Sequence, residues 1–387
     1  MNRKRSKAGI ILVSLFFLLF CPTNLSYAST LNVSAKSAIL IEQESGRILF
    51  EKDAYTKRRI ASITKIMTAI LAIESGKLDD KVKISSKSVN IEGSSIYLKE
   101  GEIITLEDLV YGLMLKSGND AAIAIANHVG GSVEGFVYMM NEKAKAIGMK
   151  DTVFSNPHGL DDSENHYSTA YDMALLMKYA MKDKTFRKIS STEKYKTKKI
   201  DGESWGRLWK NKNKLVTGLY KYSTGGKTGY TKRANRTLVS TASKNDMDLI
   251  AVTLDDPDDW NDHIALFEHA FDTYQKMKLI DKGKYKHATH DFYRNKLIVK
   301  QPVYYPLTEE ESQLLTSSIT LLRPPKGKKW EKEGVPAPVG YLKIKLEGEE
   351  IAKVPLFFDG QPAAEKKNFL ESFKNIFFLV AGVDQSD

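Results

Sequence analysis

The chain has 387 residues, 42% of them hydrophobic and 27% charged, an ordinary globular composition that excludes a disordered or fibrous protein. Its 58 Lys and Arg against 48 Asp and Glu leave a formal charge of +10, which permits an anionic partner without selecting one. One cysteine excludes a disulfide framework and a thiolate metal cluster, and seven scattered histidines contain no His-Glu-x-x-His pair, so neither a metal nor a cofactor is expected.

The chain opens on a basic cluster, Arg3, Lys4, Arg5 and Lys7, followed by an apolar run over 8–20. That run is shorter than the roughly 20 residues a bilayer core requires. Ser26-Tyr27-Ala28 then places small residues where a signal peptidase reads, so residues 1–28 are expected to be a secretory signal peptide outside the fold. Cys21 as a lipidation site is disfavoured by the bulky Phe20 before it. Cleavage after Ala28 would leave no cysteine, which suits an oxidising exterior. Export separates the protein from nucleic acid, which is not expected as a partner.

Residues 37–53 read as a hairpin: Ala38, Ile39, Leu40 and Ile41 lead into a Glu44-Ser45-Gly46-Arg47 turn, and Ile48, Leu49 and Phe50 return. Over 62–75, Ile63, Ile66, Met67, Ile70 and Leu71 recur at helical spacing. Further helices are expected at 106–116, 119–129, 133–147 and 169–182, with Thr105, Ser132 and Ser168 or Thr169 as N-caps. Strands are expected at 222–230, 236–242 and 248–254 and a helix at 262–276. Strands on both sides of a helical insert imply an α/β layer carrying a helical subdomain over 29–280.

Beyond 280 the pattern changes to short alternating runs at 296–300, 318–322, 341–346 and 351–358, punctuated by Pro302, Pro306, Pro324, Pro325, Pro336 and Pro338. Residues 281–361 are expected to form a small all-β domain of sandwich type. In the tail, 362–387, Phe369, Leu370, Phe373, Ile376, Phe377 and Val380 make one apolar helical face, with Lys366, Lys367, Glu371, Lys374 and Asn375 on the other. Too short and charged to span a bilayer, this segment suits a helix lying in an anionic membrane surface. The alternative is a helix packed on the β domain.

Three short motifs carry the chemistry. Ser62-Ile63-Thr64-Lys65 opens a helix, and a spacing of three puts Ser62 and Lys65 on one face. The positive helix terminus favours a neutral lysine, which can take the serine proton and make it a nucleophile. Alone the pattern is weak, because Ser191-Thr192-Glu193-Lys194 repeats it in a polar context that reads as solvated surface. Ser117-Gly118-Asn119 stands out from Ser88-Val89-Asn90, Ser163-Glu164-Asn165 and Ser243-Lys244-Asn245 by its place in a tight turn between two expected helices. Lys227-Thr228-Gly229 follows Gly225-Gly226 and opens the strand-rich stretch.

Ser62–Lys65, Ser117–Asn119 and Lys227–Gly229, in that order, resemble the set in serine-type D-alanyl-D-alanine carboxypeptidases, the low-molecular-mass penicillin-binding proteins. Asn156-Pro157-His158-Gly159-Leu160, Ser168-Thr169-Ala170 with Asp172, and Asn211-x-Asn213 extend the likeness from about residue 35 to the C-terminus. The resemblance implies an α/β serine penicillin-recognising transpeptidase-like domain, an antiparallel sheet flanked by helices, then the β domain and the amphipathic helix. Its substrates would be peptidoglycan stem peptides, with β-lactam antibiotics as acylating mimics, on the outer face of the cytoplasmic membrane. By that resemblance Ser62 is the acyl carrier and Lys65 its base. Ser117 and Lys227 return a proton to the leaving D-alanine, and Asn119 holds the substrate amide and Lys65. Lys227 and Thr228 face the carboxylate, the small Gly226 and Gly229 admit the substrate to the strand, and the Tyr230 N–H completes an oxyanion hole with that of Ser62. Similar forms occur in spore-forming Gram-positive bacteria, which adds spore cortex as a setting.

Two positions depart from the family pattern. Asn235 stands where a glycine is usual after Ala234, and 255–260, where an arginine is usual, reads Asp255-Asp256-Pro257-Asp258-Asp259-Trp260, expected as a solvated turn. Arg233, Arg236 or Lys212 could replace the missing cation. His158, in a Pro-His-Gly turn, is expected to be structural. Two rivals remain at this point. A β-lactamase is disfavoured by Ser-Gly-Asn in place of Ser-Asp-Asn and by the surplus C-terminal region. A non-catalytic sensor is disfavoured by the complete set of reactive residues.

Overall fold

A computed structural model of the protein describes residues 31–197, 206–288, 290–325, 330 and 334–359. The expected signal peptide with Cys21 and the expected helix over 362–387 lie outside the described residues.

The chain enters as β1 (Ser37–Glu42) and β2 (Ile48–Lys52), the expected hairpin. A 3₁₀ turn, Ala61–Thr64, then leads into α1 (Lys65–Glu74), where the sequence pattern predicts one unbroken helix. Residues 65–73 are all buried, so α1 is the central rod of the helical region. A short hairpin that the sequence pattern does not announce follows, β3 (Lys81–Lys83) with β4 (Ile103–Thr105). The expected helix at 106–116 is split into α2 (Leu106–Tyr111) and a wider π turn, Gly112–Lys116, after which Ser117 turns left-handed at φ 63°. Such wide turns concentrate at functional sites. Next come α3 (Asn119–Gly130), α4 (Val133–Ile147), α5 (Ala170–Ala180) and α6 (Lys184–Ser190), the last of which the sequence pattern misses. The hydroxyls of Thr105, Ser132 and Thr169 accept from Asp108, Gly135 and Asp172 N–H groups, as N-caps do.

A second short hairpin, β5 (Lys194–Lys196) and β6 (Leu208–Lys210), precedes β7 (Ser223–Thr231), β8 (Asn235–Lys244), β9 (Met247–Leu254) and α7 (Asp259–Thr273). The sheet order is β2-β1-β9-β8-β7, antiparallel throughout, so the first hairpin joins strands two hundred residues away and β7 is left at an edge. β1 is buried along its whole length, and its central residues 38–41 are accordingly an unbroken apolar run between Ser37 and Glu42. Helix α7 packs on the sheet through His263, whose ring bonds Ser240 and Thr253.

The acidic run is not a solvated turn. Asp256, Asp259 and Asp262 are buried, and α7 begins within the run, three residues ahead of the expected 262. Carboxylates favour a helix N-terminus, and here each is also engaged. Asp262 accepts from the Ser34 N–H at 2.6 Å, Asp256 from the Ser34 hydroxyl at 2.9 Å, and Asp259 from Arg236 at 2.6 Å.

The second region contains β10 (Gln275–Ile280), β11 (Gly283–Tyr285), β12 (Leu297–Val299), β13 (Val303–Leu307), α8 (Glu309–Gln313), β14 (Leu315–Leu321), β15 (Gly340–Leu346) and β16 (Glu349–Phe358). Five strands form one sheet in the order β11-β12-β16-β15-β14, and β10 pairs with β13 as a ribbon. Leu279, Ile280 and Val303 of the ribbon pack against the core around Tyr293, Leu342 and Leu356, giving two layers. Arg47, in the β1–β2 turn, ties this region down: its guanidinium pairs with Glu311, donates to the Pro306 carbonyl and sits between the rings of Tyr274 and Tyr305.

Candidate active site

Ser62 lies in the 3₁₀ turn and Lys65 is the first residue of α1, so one tight turn brings their side chains together. Lys65 Nζ stands 2.9 Å from Ser62 Oγ, 2.7 Å from Asn119 Oδ1 and 2.6 Å from the His158 carbonyl. Asn119 is held in turn by the Glu92 carbonyl, to which its amide donates at 2.5 Å. Ser117, aimed by its left-handed backbone, accepts from Lys227 Nζ at 3.0 Å, and Lys227 also donates to the Thr228 carbonyl at 2.6 Å. The three motifs, 55 and 110 residues apart in sequence, thus meet in one hydrogen-bonded cluster.

Electrostatics favour a neutral lysine beside the serine. Lys65 is fully buried, and burial holds its amine well below the usual lysine value, with the charges of Lys227 and Lys212 adding to the effect. Burial, with a further contribution from Lys212, brings Lys227 down to about 7. For Lys65 the causes are burial and two neighbouring ammonium groups, where the sequence pattern points to the helix terminus. A base of this kind next to a half-exposed hydroxyl can generate a nucleophile.

His158 is structural. Its ring accepts from the Leu160 N–H at 3.2 Å, burial pushes its pKa to about 3, and its carbonyl is what touches Lys65. The second Ser-x-x-Lys copy makes no such contact: Ser191 caps the end of α6, its hydroxyl donates to the Lys188 carbonyl at 3.2 Å, and Lys194 lies exposed in β5.

Gly229 lines the cleft and has a packing reason besides the expected one. A Cβ there would come 2.4 Å from Thr237 Oγ1, 2.9 Å from the Ser62 nitrogen and 3.1 Å from that of Ile63. At Gly226 it would meet the Val239 carbonyl at 2.3 Å. Both glycines are therefore required by close packing inside the protein. Gly229 in particular lets β7 press against the turn that carries Ser62.

Above the cluster opens a cleft of about 360 Å³ lined by Ser62, Ser94, Ser117, Lys212, Lys214, Thr228, Gly229, Tyr230, Arg236, Asp259 and Trp260. Lys65 and Lys227 lie beneath its floor. Of the three cations considered for the missing arginine, Arg236 and Lys212 reach the cleft, whereas Arg233 forms a pair with Glu164 at 2.7 Å. Arg236 is braced by buried Asp259 and by the face of Trp260, 5.5 Å away. The acidic run, which lacks an arginine, thus holds one supplied by β8. Lys212 donates to Ser94 at 2.9 Å. Ser94, Lys214 and Trp260 carry no motif that sequence reasoning could have used. Among the described residues lining the cleft the one carboxylate is Asp259, already engaged by Arg236. Among the described residues no group of three or more His, Cys, Asp or Glu could hold a metal ion.

A family model described as D-alanyl-D-alanine carboxypeptidase, peptidase S11, matches residues 24–258, and one for the C-terminal domain of penicillin-binding protein 5 matches residues 274–361. The D-alanyl-D-alanine carboxypeptidase DacF of Bacillus subtilis is 34% identical over 373 residues, covering 89% of this chain and 92% of that protein. Penicillin binding protein 5 from Haemophilus influenzae superimposes with a TM-score of 0.69 at 26% identity, over 85% of this chain and 98% of that one. The D-alanyl-D-alanine carboxypeptidase DacD from Francisella tularensis gives a TM-score of 0.65, also at 26% identity, over 85% and 94%. With more than half of the chain matched by the family and a relative similar along nearly its full length, this protein belongs to the D-alanyl-D-alanine carboxypeptidases of the peptidase S11 family, serine peptidases of the low-molecular-mass penicillin-binding type.

Proposed function

We propose that the protein removes the terminal D-alanine from peptidoglycan pentapeptide stems through an acyl-enzyme on Ser62. The observation that carries this reading is the buried, charge-depleted Lys65 amine 2.9 Å from Ser62 Oγ. Lys65 takes the Oγ proton as Oγ bonds to the carbonyl carbon of the penultimate D-alanine. The resulting oxyanion faces the backbone N–H groups of Ser62 and Tyr230. Cleavage of the C–N bond sends a proton through Ser117 and Lys227 to the departing amine. Water then hydrolyses the ester and regenerates Ser62. Asn119 fixes Lys65 and the substrate amide. Thr228 and Lys227 recognise the terminal carboxylate, with Arg236 and Lys212 as the cations that line the cleft. A β-lactam takes the place of the D-Ala-D-Ala end and leaves Ser62 acylated. Loss of the terminal D-alanine removes the donor for cross-linking, with spore cortex as one setting in which this would act. D-alanine release from a pentapeptide, with mass spectrometry of the penicillin-treated protein, tests the reading; nitrocefin turnover without D-alanine release would replace it by a β-lactamase.

The pKa directions set a pH profile. Lys65 serves as base only when neutral, so kcat/KM rises as pH passes its lowered value. Lys227 carries its charge below about 7, so kcat/KM falls as pH rises through that point. Lys212→Met removes a positive charge that depresses both groups, and both limbs are expected to move to higher pH. An unmoved profile would show that Lys212 acts on neither.

We also place the protein at the outer face of the cytoplasmic membrane, held by residues 362–387 after export. The apolar face of Phe369, Phe373 and Phe377 beside Lys366 and Lys374 supports this, and no described helix is long and apolar enough to cross a membrane. Deleting residues 363–387 is expected to move the protein from the membrane fraction to the soluble one while small-peptide activity is retained. A truncated protein still membrane-bound after signal cleavage would end this proposal.

A further inference from the structure

Eleven described residues other than glycine have positive φ, and seven of them are Asn or Asp, whose short polar side chains tolerate it. The remaining four are Ala61, Tyr97, Ser117 and Glu347. Glu347 is in the turn between β15 and β16. Ala61 adjoins Ser62, and Ser117 is in the hydrogen-bonded cluster beneath the cleft. Tyr97, at φ 60°, is the one aromatic residue of the four, and a bulky side chain there is an outlier that the surroundings must enforce.

The enforcing group is Asp120, buried and next in sequence to Asn119. Its carboxylate accepts from the N–H groups of Ile96 and Leu98, each at 3.1 Å, and from the Ser95 hydroxyl at 2.5 Å. The Tyr97 N–H donates to that same hydroxyl at 2.8 Å. Ile96 and Leu98 on either side are buried, but the side chain of Tyr97 is turned outward. At 81% it is the most exposed of the large apolar residues among those described. Contacts within the fold therefore do not explain why this ring is held where it is.

Its position does. The Asn119 N–H donates to the Ser94 carbonyl at 2.7 Å, and Ser94 lines the cleft. Three residues of chain reach about 10 Å at most, which keeps the exposed Tyr97 within that distance of a residue lining the cleft. A cleft of about 360 Å³ takes only the end of a stem peptide, so the rest of the substrate must lie on the surrounding surface.

We propose that Tyr97 is a substrate-binding residue, its ring packing on the part of the stem peptide that lies outside the cleft. This rests on the carboxypeptidase reading. The test compares an N-acylated tripeptide ending in D-Ala-D-Ala with the full pentapeptide. Tyr97→Asn, which suits the left-handed backbone, should raise KM for the pentapeptide several-fold to about ten-fold with kcat little changed, the scale of one aromatic contact, and leave the tripeptide unaffected. Tyr97→Phe should restore the pentapeptide value. Equal losses on both substrates, or no loss on the pentapeptide, would overturn the assignment while wild-type activity leaves the carboxypeptidase reading standing. Wild-type protein inactive on both would overturn that reading and this inference together.

Discussion

Ser62→Ala is expected to abolish both D-alanine release and covalent labelling by penicillin, whereas Ser191→Ala should leave both intact. The two serines share one local pattern, and only Ser62 has a buried lysine amine within hydrogen-bond reach. Lys65→Ala should slow acylation by roughly 10²–10⁴-fold, the usual cost of losing a general base. Labelling rate measured by mass spectrometry separates that loss from a binding defect. Penicillin labelling that survives Ser62→Ala would end the assignment of the nucleophile.

The second large effect concerns the carboxylate. Arg236→Ala should reduce kcat/KM by about 10- to 100-fold on peptides with a free C-terminus, the scale of a lost charge-assisted hydrogen bond, and far less on C-terminal amides. Asp259→Asn should produce a smaller loss of the same selectivity, because it frees a side chain that is otherwise braced. Lys227→Ala should impair both substrate types, and the free acid more, because Lys227 touches Ser117 as well as the strand. Arg233→Ala should change neither, since that guanidinium is committed to Glu164. Equal losses on acid and amide for Arg236→Ala would show that the cleft reads its substrate by other groups.

Much of the architecture follows from local pattern alone. The unbroken apolar run of β1, the period of α1 and the caps at Thr105, Ser132 and Thr169 are all dictated by residues within a few positions of one another. The order of the three motifs was equally legible, because each pairs a reactive group with a neighbour that local geometry must bring close. What neighbouring residues cannot convey is burial and long-range register. The lowered affinity of Lys65 for its proton arises from packing and from Lys227, 162 positions away in sequence. The close approach explaining Gly229 is made by a turn near residue 62, which no reading of 223–231 contains. The acidic run reads as solvated because four aspartates within five residues usually are. Only the fold carries β8 past it, so that Arg236 meets Asp259 and Trp260 and a segment without an arginine comes to present one.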